Sequence, residues 1–167
     1  MVDVNATSTD TAKNEVTIED VRSNYNLQAG MVLHGQGIAV KDSTFSYNTA
    51  GISLYGVDYP AMVQFEGTVS CHHNAMQGIM SGSFGGIPMA VNVEGVLNTY
   101  LNTFQGLAVI FSGLGFNVEK DGSFNSCQNG ADILIVNGAA NFSDAGTDGY
   151  TCDSEDIPEC MPCPQCN

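Results

Sequence analysis

The chain has 167 residues, of which 43% are hydrophobic, enough for one packed domain and too many for a disordered chain. Its formal charge of -14, from 18 acids against 4 bases, excludes a general nucleic-acid binder, because almost nothing could neutralise phosphates, and argues against docking on anionic membranes. Glycine is abundant at 19, tryptophan is absent, and no run reaches the roughly 20 apolar residues of a membrane helix, which leaves a turn-rich β composition.

Residues 1–14 read as a polar N-terminal segment. Met1-Val-Asp-Val-Asn-Ala-Thr7 has neither a basic region nor an apolar stretch, so no signal peptide is expected there. Asn5-Ala-Thr7 is an N-glycosylation sequon.

Residues 15–140 carry one pattern in five successive segments. Each holds an apolar-polar-apolar strand, then an Asn, then a landmark Gly that opens a second apolar strand. The first runs Val16-Thr-Ile18, Asn26, Gly30-Met-Val-Leu33, and the second Ile38-Ala-Val40, Asn48, Gly51-Ile-Ser-Leu54. The third runs Val63-Gln-Phe65, Asn74, Gly78-Ile79, and the fourth Val91-Asn-Val93, Asn102, Gly106-Leu-Ala-Val109. The fifth is irregular: Phe116-Asn-Val118, Asn129, Gly130, then Ile133-Leu-Ile135. The landmark glycines at 30, 51, 78, 106 and 130 lie 21 to 28 residues apart, so insertions fall at the turns. No segment has a helical period. A unit this short cannot bury its apolar face alone, but stacked units share a continuous core. The expected fold is therefore all-β, a right-handed parallel β-helix of about five coils. Asn26, Asn48, Asn74 and Asn102 are expected to form a ladder, on the ground that Asn tolerates a left-handed corner and its amide can bond the amide one coil away. Asn129, adjacent to Gly130, fits that ladder less well.

The stretch Gly37-Ile-Ala-Val-Lys-Asp-Ser-Thr-Phe-Ser-Tyr-Asn-Thr-Ala-Gly-Ile-Ser-Leu54 resembles one coil of the pectin-lyase-like right-handed β-helix proteins, and the resemblance extends over residues 15 to 138. It implies that fold. It leaves activity open, because the family includes lyases, hydrolases, epimerases, adhesins and inert scaffolds. The paired aspartates and Gly-His-Gly turn of polygalacturonase-like members have no counterpart: there is no Asp-Asp pair, and His34-Gly-Gln-Gly37 differs. Pectate-lyase-like members join calcium carboxylates to a basic residue, whereas Arg22 stands without an acid cluster. Tyr55-Gly-Val-Asp58-Tyr-Pro60 is similar to the Tyr-Gly-Phe-Asp-Pro-His motif of alginate epimerases but lacks its His.

Several groups invite chemistry. His72 and His73 are adjacent, and side chains of neighbouring strand residues point to opposite faces, so both are not expected to reach one metal ion. Cys71 and Cys127 fall two coils apart, about 9.6 Å at about 4.8 Å per coil, beyond the roughly 7 Å Cα separation a disulfide spans. They are expected as small core thiols. Glu66, Glu94 and Glu119 each follow an inward strand residue and should stack outward in one column, where calcium would relieve their repulsion; a solvated acidic face is the plainer alternative. Along the strand after each landmark Gly, the outward residues Val32, Tyr55, Met80, Ala108, Ile110, Leu134 and Val136 form a column without Asp, Glu, Lys or Arg. Such a strip marks a protein interface unless a loop or the chain's own tail covers it.

Residues 141–167 read as a Cys-rich tail or cap over the open end of the solenoid. Cys152, Cys160, Cys163 and Cys166, with prolines at 158, 162 and 164, are expected to form disulfides; a metal site and free thiols are the alternatives. Asn141-Phe-Ser143 is a second sequon. Together these features predict a non-enzymatic structural or adhesive module of a larger extracellular or luminal assembly, acting through other protein subunits or self-assembly. It needs no cofactor apart from the candidate calcium, binds no nucleic acid and inserts in no membrane. A carbohydrate-binding or polysaccharide-processing β-helix, or an accessory subunit of an organellar complex, is the alternative.

Overall fold

The structure, a computed structural model, describes residues 2–6, 16–35, 37–56, 61–83, 89–110, 115–136, 140–141 and 150–151. The elements in chain order are β1 (Val2–Ala6), β2 (Val16–Glu19), β3 (Arg22–Asn24), β4 (Ala29–Gly35), β5 (Ile38–Ser46), β6 (Ala50–Gly56), β7 (Ala61–His72) and β8 (Ile79–Ser83). They continue with β9 (Met89–Val93), β10 (Val96–Tyr100), β11 (Gln105–Ile110), β12 (Gly115–Val118), β13 (Ser123–Cys127), β14 (Ala131–Val136), β15 (Ala140–Asn141) and β16 (Tyr150–Thr151). Among the described residues there is no helix, and every strand pairing is parallel.

The strands stack as a parallel β-solenoid in which five repeats are joined by four coil-to-coil steps. Each repeat contributes three wall segments. The first wall runs β2, the front of β5, the front of β7, β9, β12 and β15, and the second runs β3, the back of β5, the back of β7, β10, β13 and β16. The third wall is β1-β4-β6-β8-β11-β14. Asp20, Asp42 and Gly67 make the bend between walls one and two, with φ of 56°, 45° and 57°. Asp42 Oδ1 accepts the Thr68 N–H at 2.9 Å across that bend.

Alternation of side chains across each strand sorts the sequence between core and exterior. On the third wall Met31, Ile52, Ile79, Leu107 and Ile133 stand in one inward column, and Leu33, Leu54, Ser81, Val109 and Ile135 in another. On the other walls Val40, Phe65, Val93 and Val118, and Val69, Leu97 and Phe124, point in and are buried. Apart from Ser81 and the second-wall column of Val69, Leu97 and Phe124, these are the inward positions the repeat predicts.

The Asn ladder forms, with two differences from expectation. Each Asn Oδ1 accepts the backbone N–H of the Asn one coil back: Asn26 to Asn48 at 2.9 Å, Asn48 to Asn74 at 3.0 Å, Asn74 to Asn102 at 3.1 Å and Asn102 to Asn129 at 3.0 Å. Each Nδ2 donates back to a carbonyl of the preceding coil: Asn48 to Ser23, Asn74 to Phe45, Asn102 to Cys71 and Asn129 to Thr99. Asn129 is thus a full member, contrary to the sequence reading. The left-handed residue is also not the Asn but the one before it. Tyr25, Tyr47, His73, Leu101 and Gln128 take φ between 50° and 59°. A bulky residue there costs on the order of 1–3 kcal/mol, and the buried ladder bonds one residue on offset that cost.

The landmark glycine is explained by the same ladder. A Cβ on Gly30 would lie 2.6 Å from Asn48 Nδ2, one on Gly78 2.8 Å from Asn102 Nδ2, and one on Gly106 2.7 Å from Asn129 Nδ2. In coil five the pairing of Gln105 with Ala131 and Leu107 with Ile133 puts Asp132, not Gly130, in this place. Among the described residues no later ladder Asn needs room there. Asp132 Oδ1 instead accepts from Asn129 Nδ2 at 3.2 Å and from Ser126 Oγ at 3.1 Å.

Candidate functional site

The outer face of the third wall follows from strand register. Val32, Ser53, Met80, Ala108 and Leu134 form one outward column, and His34, Tyr55, Gly82, Ile110 and Val136 the next. From coil one to coil five neither column holds Asp, Glu, Lys or Arg. Gly82 leaves the second column thin between Tyr55 and Ile110, and the Tyr55 ring stacks on His34 at 5.6 Å. Val32, Ser53, Tyr55, Met76 and Met80 line a shallow groove on this face. Two positions are closed to a partner: Ser53 is buried, and Ala108 is 0% exposed, so Ala108 leaves the set of candidate contacts. Leu134 and Val136, on the last strand of the wall, are exposed.

A second apolar feature runs along the Asn corner and has no counterpart in the sequence reading. Tyr25, Leu27, Tyr47, Met76 and Phe104 are exposed beside the ladder. The Tyr25 and Tyr47 rings stack at 5.0 Å and 9°, and the Tyr47 and His73 rings at 5.0 Å and 25°. The cue was the position before each ladder Asn, where Tyr25, Tyr47 and His73 recur.

His72 and His73 behave differently from the strand argument. The left-handed turn at His73 folds its ring back beside His72, and the two Nδ1 atoms meet at 2.8 Å. Tyr100 stacks on His72 at 4.7 Å and Tyr47 on His73. That spacing is an N–H···N hydrogen bond between the two rings. Among the described residues no three His, Cys, Asp or Glu side chains come together in a way that could hold a metal ion.

The same holds for the carboxylate column. Lys41 pairs in register with Glu19 and Glu66, and its Nζ lies 3.0 Å from Glu19 Oε1. The hydrogen bond to Glu19, and then its charge, raise the Lys41 pKa. Glu94 and Glu119 follow Val93 and Val118 and, with Lys120 and Asp121, line an open groove by the bend between walls one and two. Glu66, Glu94 and Glu119 do not form a preorganised calcium site.

The two described cysteines stand on opposite faces. Cys71 pairs with Phe45 and Thr99, points inward, is free and is fully buried. Cys127 pairs with Tyr100 in the outward column of His72. Opposite orientation, added to the two-coil separation, rules out a Cys71–Cys127 bridge. The expectation of a core thiol holds for Cys71 and fails for Cys127, which is disulfide-bonded to a partner outside the described residues. Cys152, Cys160, Cys163 and Cys166 also lie outside them, as do residues 57–60 of the epimerase-like stretch and the body of the Cys-rich tail. Asn5 and Asn141 lie in β1 and β15.

Burial pushes the Cys71 thiol pKa far up, so the nucleophilic thiolate is suppressed. Maleimide is expected to leave Cys71 unlabelled in the native protein and to label it fully in denaturant. Peptide mapping by mass spectrometry checks this, and rapid native labelling would mean that the core opens at coil three.

Compared with models of known protein families, with curated proteins and with solved structures, the chain matches none.

Proposed function

We propose that this chain is a non-catalytic structural module that works through protein–protein contacts made by the outer face of its third wall. The observation that carries this reading is the pair of outward columns from Val32 to Leu134 and from His34 to Val136, free of charge in a chain with 18 acids. Apolar strips of this kind are partner surfaces more often than solvated ones. We place the module in an extracellular or luminal assembly, because disulfides such as that of Cys127 persist in oxidising compartments. Right-handed winding of the pectin-lyase-like kind is assigned on the general handedness of parallel crossovers.

A glycan-binding reading has one observation in its favour, the exposed Tyr25–Tyr47–His73 stack.

The test is a paired substitution, Met80→Lys with Ile110→Lys. Both side chains point away from the core, so the circular dichroism spectrum should be unchanged. Affinity for the native partner should fall about 30-fold or more, the loss of one buried hot spot of about 2 kcal/mol. Unchanged partner binding by the folded variant, with loss of glycan binding in Tyr25→Ala, would transfer the function to the aromatic corner.

A further inference from the structure

The walls do not end together. At the N-terminal end the third wall starts one coil early: β1 stacks on β4, while β2 and β3 are the outermost described strands of the other walls. At the C-terminal end the order is reversed. There β15 and β16 extend walls one and two beyond β12 and β13, and β14 is the last described strand of the third wall. Among the described residues each end is thus a half coil, and the half described at one end has no described counterpart at the other.

From this we infer that copies of the chain stack head to tail, the β1 of one copy completing the terminal coil of the next against β14. The inference rests on the reading of the chain as a contact module and names a second copy as the partner. Three observations carry it. All strands run parallel, so a copy placed end on continues the same ladder without reversing direction. The register also matches: Val2 and Val4 of β1 stand in the columns that end in Ile133 and Ile135. Finally, Ile135 is 43% exposed although its column-mates Leu33, Leu54 and Val109 are at most 1% exposed. Its position is a core position with no described strand beyond it. Leu134 and Val136, 38% and 37% exposed, extend the open edge.

A head-to-tail contact of this kind is heterologous and does not close on itself at a straight junction, so the product is a rod rather than a dimer. Each copy brings a charge of -14, and screening that repulsion strengthens the contact.

Sedimentation velocity at rising concentration, in low and high salt, should show species growing from the 17.6 kDa monomer, with longer rods at high salt. Ile135→Lys spoils the C-terminal end only, and deletion of residues 1–6 the N-terminal end only. Each variant alone should remain monomeric, and an equimolar mixture should give a 1:1 heterodimer, because one sound end of each kind remains. If the deletion compromises folding, a synthetic peptide of residues 1–7 in excess should stop growth of the intact chain. A wild-type chain that stays monomeric at every salt, a folded Ile135→Lys variant that assembles normally, or a mixture that stays monomeric while the wild type grows each overturns the inference. Met80→Lys with Ile110→Lys should leave stacking intact, so failure here and failure of the lateral contact are separable.

Discussion

Asn74→Ala is expected to cost the fold about 4 kcal/mol, since it removes both halves of a coil-to-coil clamp. Asn74 Oδ1 accepts the buried Asn48 N–H at 3.0 Å, and its Nδ2 donates to the Phe45 carbonyl at 3.2 Å and to Asn102 Oδ1 at 2.9 Å. Alanine replaces none of these. Each buried backbone group left without a partner costs about 1–3 kcal/mol, and two are stranded, together with the strained residues His73 and Tyr47 that the ladder holds in place. For a chain of this size the melting temperature should fall by roughly 8–16 °C. Asn92→Ala is the control: Asn92 shares one half-buried amide contact with Asn117, at 3.3 Å, and should lose under about 1 kcal/mol. Denaturant unfolding followed by circular dichroism measures both. Equal, small losses would show that the ladder orders the corner without holding it.

Gly51→Ala is expected to destabilise by about 3 kcal/mol or more, for a steric reason. The added Cβ would lie 2.4 Å from the Gly78 carbonyl oxygen, which belongs to the backbone of the next coil, with the Cys71 Cβ at 3.0 Å and Asn74 Nδ2 at 3.1 Å. None of these is a flexible chain end, so coils two and three must move apart, and overpacking of a tight interior costs about 1–3 kcal/mol even where rearrangement is easier. Gly82→Ala provides the contrast on the same wall. Its Cβ would meet only the Ile110 carbonyl, at 3.7 Å, and stability should change by less than about 0.5 kcal/mol. If the two variants unfold at the same denaturant midpoint, close approach at the landmark glycine is not what keeps it there. Asp132 shows the same rule from the other side: where no ladder Asn follows among the described residues, a side chain stands in the landmark place.

Much of the architecture is legible in the residues alone, because it depends on chemistry that repeats once per coil. Apolar alternation identifies Met31, Ile52, Ile79 and Leu107 as one inward column and Val40, Phe65, Val93 and Val118 as another. The need for a small residue beside a buried amide makes Asn and Gly recur together. The uncharged outward columns of the third wall are legible for the same reason, since period-two alternation assigns a face without any knowledge of neighbours.

What depends on how one coil sits on the next had to come from the folded chain. Two tyrosines, a histidine, a leucine and a glutamine share the left-handed corner before the ladder Asn, so residue type alone does not predict that conformation. Gly130 resembles the landmark glycine in spacing, but register gives that place to Asp132. His72 and His73 meet because His73 itself, next to the ladder Asn74, turns left-handed, which overrides the strand rule that separates adjacent side chains. Ala108 is outward yet covered, and Cys127 is outward while Cys71 is inward, through packing with residues distant in sequence. The offset between the walls belongs to this group as well. Strand content and apolar pattern are local properties of the chain, whereas the stagger that makes β14 the last described strand of its wall exists only once the parallel register is set.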